Sequence, residues 1–166
     1  MVVVITLNPA ELVKMARDSY RLQHLYIINR ALRLQETDIP NSFLGTSSVM
    51  YVSLPDTDPG CSNLNLPPLG PGWSYACRPS STYRNGDGTG WIPVNFTLVS
   101  FQPLFSSLPV DPINSATSNL YYTYTVSGRW ELNAKLDSAR YRPEMGDDGG
   151  DDDALFEVGT NLLLVP

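Results

Sequence analysis

At 166 residues, 42% apolar and 17% charged, the chain has the material for one ordinary domain with its own core. Its net charge of -6 is concentrated in residues 143–166, where Glu144, Asp147, Asp148, Asp151, Asp152, Asp153 and Glu157 stand with no Lys or Arg. The rest is close to neutral, so no basic field is offered to a nucleic acid.

The first residues, Val2 to Leu7, are apolar but far too short to span a bilayer, and they lack the charged start and small-residue cleavage site of a signal peptide. A helix is predicted over residues 9–37. Asn8 supplies an N-cap, Pro9 the first helical position, and Glu11 an acid in the first turn. Apolar residues recur at Leu12, Met15, Ala16, Leu22, Leu25, Ile28, Ala31 and Leu32, one stripe facing a core. Arg17, Asp18, Arg21, Arg30 and Arg33 are assigned to the other faces. At about 1.5 Å per residue such a helix is on the order of 40 Å long, so its N-terminal part is expected to project from the body.

Residues 38–90 change character, and Pro, Gly, Ser and Asn dominate. One strand is expected at Val49–Leu54. Cys61 and Cys77 flank a stretch too rich in Pro and Gly to order itself by packing, and a disulfide closing it is the natural reading in an oxidising compartment, against the alternative of two free thiols. The spacing fits no zinc site. Asn85 to Gly90 is dense turn signal, and the partial likeness of Asn85, Asp87 and Thr89 to a calcium loop fails at the twelfth position, which is Phe96. Tyr121–Val126 is the strongest strand, aromatic and β-branched, and Ser127-Gly128 turns it into a second strand at 129–136. An acidic loop at 146–153 precedes a last strand at 155–159. The order predicts an α+β fold, loop-rich, with the long N-terminal helix packed on a small antiparallel β-sheet.

Several segments, in this order, resemble the type IV pilin and type II secretion pseudopilin family. Leu7-Asn8-Pro9-Ala10 with Lys14, Ala16-Arg17-Asp18 and Arg21 resembles the stretch after the membrane-spanning half of the family's first helix. Leu108-Pro109-Val110-Asp111-Pro112 is similar to the loop before the family's core hairpin, and Tyr121–Val126 with Trp130–Leu136 to the hairpin itself. Gly149-Gly150-Asp151 and Phe156–Gly159 resemble its C-terminal loop and last strand, while residues 40–88 match nothing in it. The resemblance implies an N-terminal part (1–37) that continues a pilin-type first helix, and a head (38–166) with a loop insertion at 40–90. It implies a structural subunit of a pilus or secretion pseudopilus, whose partners are other pilin-like subunits. Such a subunit works outside the cytoplasm, in an extracellular filament or on the periplasmic side. Only Val2 to Leu7 of the family's hydrophobic segment stands here, so membrane attachment is expected only through an upstream segment.

The acidic loop is the sharpest local feature. Five carboxylates in the seven positions 147–153 repel each other unless a cation or solvent screens them, and Gly146, Gly149 and Gly150 allow tight turns that offer carbonyls. In the related major pseudopilins this loop binds Ca²⁺, which resemblance carries onto Asp148, Asp151, Asp152 and Asp153; the alternative is a solvated loop. No catalytic site is expected. His24 is the single histidine and has no acid or Cys beside it, and no Gly-x-Ser-x-Gly occurs. Trp73, Trp91, Trp130 and the tyrosines are read as packing in preference to a carbohydrate platform. A competing reading of the whole chain is a secreted or filament-tip module that binds a glycan or protein through the 40–90 loops.

Overall fold

The computed structural model describes residues 8–99 and 105–164. One 30-residue helix, α1 (Pro9–Asp38), precedes a five-stranded sheet of β1 (Val49–Pro55), β2 (Ser74–Arg78), β3 (Tyr122–Val126), β4 (Trp130–Ala134) and β5 (Phe156–Gly159). A single helical turn, α2 (Glu144–Asp147), sits before the last strand. The fold is α+β, with a long N-terminal helix as expected.

The helix begins as its sequence dictates. Asn8 is the N-cap and its side-chain oxygen accepts from the Glu11 amide, with Pro9 placed where its missing N–H costs nothing. The buried positions Asp18, Arg21, Leu25, Ile28, Leu32 and Gln35 alternate steps of three and four, the row that one helix face presents. Two of them correct the sequence reading, which put Asp18 and Arg21 on other faces. Both are fully buried, because each finds partners of opposite charge. Leu12, expected in the core stripe, is 48% exposed. Nor does the first part of the helix stand free of the body, since Glu11 accepts from the Ala139 amide and Lys14 lies 3.6 Å from Asp137.

The sheet order is β2-β1-β3-β4-β5. It is mixed, not antiparallel throughout: β1 and β2 run parallel, while β1–β3, β3–β4 and β4–β5 are antiparallel. The exception comes from β2, which lies within the 40–90 segment. It is five residues long among Pro and Gly, with no clear alternation to announce it. Non-local bonds hold it. Cys77 is disulfide-bonded to Cys61, its amide donates to the Pro59 carbonyl, and the Asp56 amide donates to that of Arg78. The disulfide expected from sequence is therefore present.

Strand alternation sorts the side chains into two layers. Tyr122, Tyr124 and Val126 of β3, with Trp130, Leu132 and Ala134 of β4, face α1 and form the main core with Leu25, Ile28 and Leu32. Trp130 donates its indole N–H to the Asn29 side chain at 2.9 Å, and Tyr26 packs edge-on against Phe156. On the opposite face, Val52 and Leu54 meet Cys61 and Cys77 in a second, smaller core. Beside it that face turns polar yet stays buried, with Thr125, Glu131, Asn133 and Glu157. The β3–β4 turn needs Gly128, whose φ of 69° lies in the left-handed region.

Candidate functional site: the acidic loop and the polar face of the sheet

The loop before β5 is organised by its own amides. Asp148, half-buried, accepts from the Gly150 amide at 2.9 Å through one oxygen and from the Glu157 amide at 2.7 Å through the other. Asp152 accepts from the Ala154 amide at 2.9 Å. Asp151 and Asp153 are exposed. Among the described residues, no group of three or more His, Cys, Asp and Glu is drawn together as around a metal ion. Asp148 and Asp152 thus set the loop's shape, and Asp151 and Asp153 face outward as its free charge.

The anchor of this loop is a residue that sequence reasoning did not single out. Glu157 on β5 is 2% exposed, and one carboxylate oxygen accepts from the Asp152 amide at 3.1 Å. Its other oxygen has no partner, and neither has the side-chain oxygen of Asn133, its neighbour across the strand pair. The amide of Asn133 is turned by Glu131, which accepts from its nitrogen at 2.8 Å. Gly150 packs so closely on Glu157 that any Cβ there would overlap the carboxylate. Burial pushes the Glu157 carboxyl up to about 7; the Asp152 amide opposes that rise, and the charges of Glu131, Asp148 and Asp151 add to it. The signal was in the alternation: Trp-Glu-Leu-Asn-Ala in β4 and Phe-Glu-Val in β5 put their acids on one face.

A second polar centre lies under the helix. Arg21 donates to both oxygens of Asp111, at 2.6 and 3.0 Å, and to Asp18 at 2.6 Å. Asp18 also accepts from the Asp137 and Ser138 amides, and Asp111 from those of Ile113 and Asn114. With each charge answered, this network joins three distant segments. His24 lies beside it, its Nδ1 3.0 Å from the Tyr122 hydroxyl, and burial lowers its pKa. It is a packed residue.

The aromatic side chains divide. Trp91, Trp130, Tyr122 and Tyr124 are core. Trp73 and Tyr75 instead border a hollow of about 300 Å³ formed with Gly60, Cys61, Asn65 and Leu66. A neighbouring hollow of about 300 Å³ lies between Tyr75, Tyr121, Met50 and Lys135. Asp87 closes the 85–90 segment as a turn, accepting from the Thr89 amide and hydroxyl. Compared with protein-family models, curated proteins and solved structures, the chain matches none of them.

Proposed function

We propose that this chain is the head of a type IV pilin-like subunit, a structural and non-enzymatic part of a pilus or type II secretion pseudopilus that sits outside the cytoplasm. The observation that carries this reading is α1: 30 residues long and packed along its length across a hairpin-centred sheet. A helix of this length suits continuation into an upstream apolar segment. The Cys61–Cys77 disulfide supports an oxidising location. Other pilin-like subunits are then its partners, nucleic acid is not, and the membrane is reached only through that upstream segment. The test is to read the gene upstream of Met1 and express the extended subunit with an assembly system. Sheared filaments that carry the chain support the reading; a conventional signal peptide found upstream overturns it.

The same reading assigns Ca²⁺ to the acidic loop through Asp148, Asp151, Asp152 and Asp153. The donors fit. All are hard oxygens, and Asp148 and Asp152 keep lone pairs beyond the amides they already hold. Bound there, the ion would offset two of the loop's five negative charges and draw Asp151 and Asp153 inward. Thermal unfolding with Ca²⁺ and with chelator decides this. A rise in Tm that Asp151→Ala abolishes is expected, and an unchanged Tm at millimolar Ca²⁺ refutes it.

A second reading, a glycan- or protein-binding module acting through residues 40–90, is favoured by the hollows at Trp73 and Tyr75. Retained binding to an immobilised glycan or host-protein panel, lost in Trp73→Ala, would single it out.

A further inference from the structure

The hollow between Tyr75 and Tyr121 lies on the sheet face turned away from α1. Met50 of β1, Thr123 of β3 and Asn133 of β4 line it along the strands, and the 67–69 and 152–155 loops border it. Its volume of about 300 Å³ is at the lower end of the range for small-molecule sites. Both borders are tied down. The Cys61–Cys77 bridge holds one, together with the Tyr75 hydroxyl, which donates to the Pro67 carbonyl at 2.8 Å. The Asp152 amide, donating to Glu157, holds the other.

Asn133 is the group in this lining that lacks a partner. It is 2% exposed, and its amide nitrogen donates to Glu131, which is not part of the lining. A carboxylate accepts, so the nitrogen is the arm that faces Glu131 and the oxygen is the arm turned away from it. That oxygen has no hydrogen-bond partner. A buried acceptor without a donor is costly, and a ligand that brings an O–H into the hollow removes the cost.

The remaining lining narrows the ligand class. Two tyrosine rings offer flat apolar faces to C–H groups. Lys135 and Asp152, both exposed at the rim, have opposite signs, so net charge favours neither an anion nor a cation. Lys135 donates, Asn133 and Asp152 accept, and the Thr123 hydroxyl does both. A neutral ring that carries several hydroxyls and an apolar face meets all of these at once.

We propose that this hollow binds one neutral glycosyl unit, stacked on Tyr75 and Tyr121, with a hydroxyl donating to Asn133 Oδ1. The proposal rests on the second reading above, a binding module, and moves its contact from Trp73 to a site completed by β3 and β4.

The test is amide NMR of the oxidised 166-residue chain. The probes are the methyl glycosides of glucose, galactose, mannose and N-acetylglucosamine, each taken to about 50 mM, since a ligand of this size binds on the order of millimolar. At least one is expected to shift the Thr123, Asn133 and Lys135 signals to saturation. Asn133→Ala and Tyr121→Ala each raise its Kd by at least about tenfold. Trp73→Ala leaves the Kd unchanged, because Trp73 borders the other hollow. Tyr121 is half-buried and outside the main core, so its variant carries the test should Asn133→Ala not fold. No saturable shift with any of the four glycosides overturns the site, and so does binding that both variants leave intact. Panel binding lost in Trp73→Ala, with no glycoside response at Asn133, overturns this site and keeps the binding-module reading.

Discussion

Replacing Arg21 with Leu removes the one cation between two fully buried carboxylates. The remaining Asp18 and Asp111 keep their backbone donors, two neighbouring amides in each case, but lose the charge that compensates burial. Breaking a buried pair in this way typically costs about 3–5 kcal/mol. The surviving amide bonds place the expected loss near the lower end, about 3 kcal/mol. For a domain of this size that is a fall in Tm of roughly 10 °C. Urea unfolding of the oxidised protein measures it directly. Because Asp111 loses its charge in Asp111→Asn yet keeps an acceptor, the double variant Arg21→Leu/Asp111→Asn is expected to recover part of the loss, a coupling that only a direct interaction produces. A loss below about 1 kcal/mol for Arg21→Leu, or strict additivity in the cycle, would refute the argument that this network holds the helix.

Glu157 carries a second expectation. Its folded carboxyl is raised from 4.5 to about 7, so in that interval the native state binds more protons than the unfolded chain, and stability falls as pH rises from about 4.5 through 7 before levelling. Glu157→Gln, measured with chelator present, removes that component of the fall and is the more stable form at pH 8; parallel pH profiles for the two proteins would sink the idea. Opening the Cys61–Cys77 bridge, with its 16-residue separation, is expected to cost about 3 kcal/mol by loop entropy. Equal urea midpoints for the wild type and Cys61→Ser/Cys77→Ser contradict that. At Gly159 a Cβ would overlap the Trp130 carbonyl across the strand pair, so Gly159→Ala is expected to lower Tm by several degrees and loosen the β4–β5 register, seen as lost amide protection on β5.

Local chemistry made the long elements legible. The Asn-Pro start, the three-and-four spacing of Leu25, Ile28 and Leu32, and the aromatic run at Tyr122–Val126 each specify their structure within a few residues. What the sequence hid depends on partners far along the chain. Nothing near Asp18 or Arg21 shows that Asp111, some ninety residues away, will meet them, so a pair of charges on a helix reads as solvent-facing until the fold closes. β2 is hidden for the same reason, since its register is set by Cys61 and the 56–59 turn and not by a pattern of its own. The acidic loop was visible as a cluster; alternation puts Glu157 on the face opposite Phe156 and Val158, but only the closing of the fold over that face, beside Asn133, shows that it is buried.

The polar contacts under α1 explain how the helix can carry apolar residues on its outer side without losing its place. Apolar contacts such as leucine against tyrosine are not directional. The Arg21 fork is directional. It meets both Asp111 oxygens only in one register, and a one-turn slip would leave three charges buried and unanswered. Trp130 to Asn29 and Arg33 to the Gly159 carbonyl repeat the constraint farther along the helix. Register is thus fixed from the inside by directional bonds, and the row Val13, Tyr20, Ile27 and Leu34 is held outward in one orientation whether or not anything covers it.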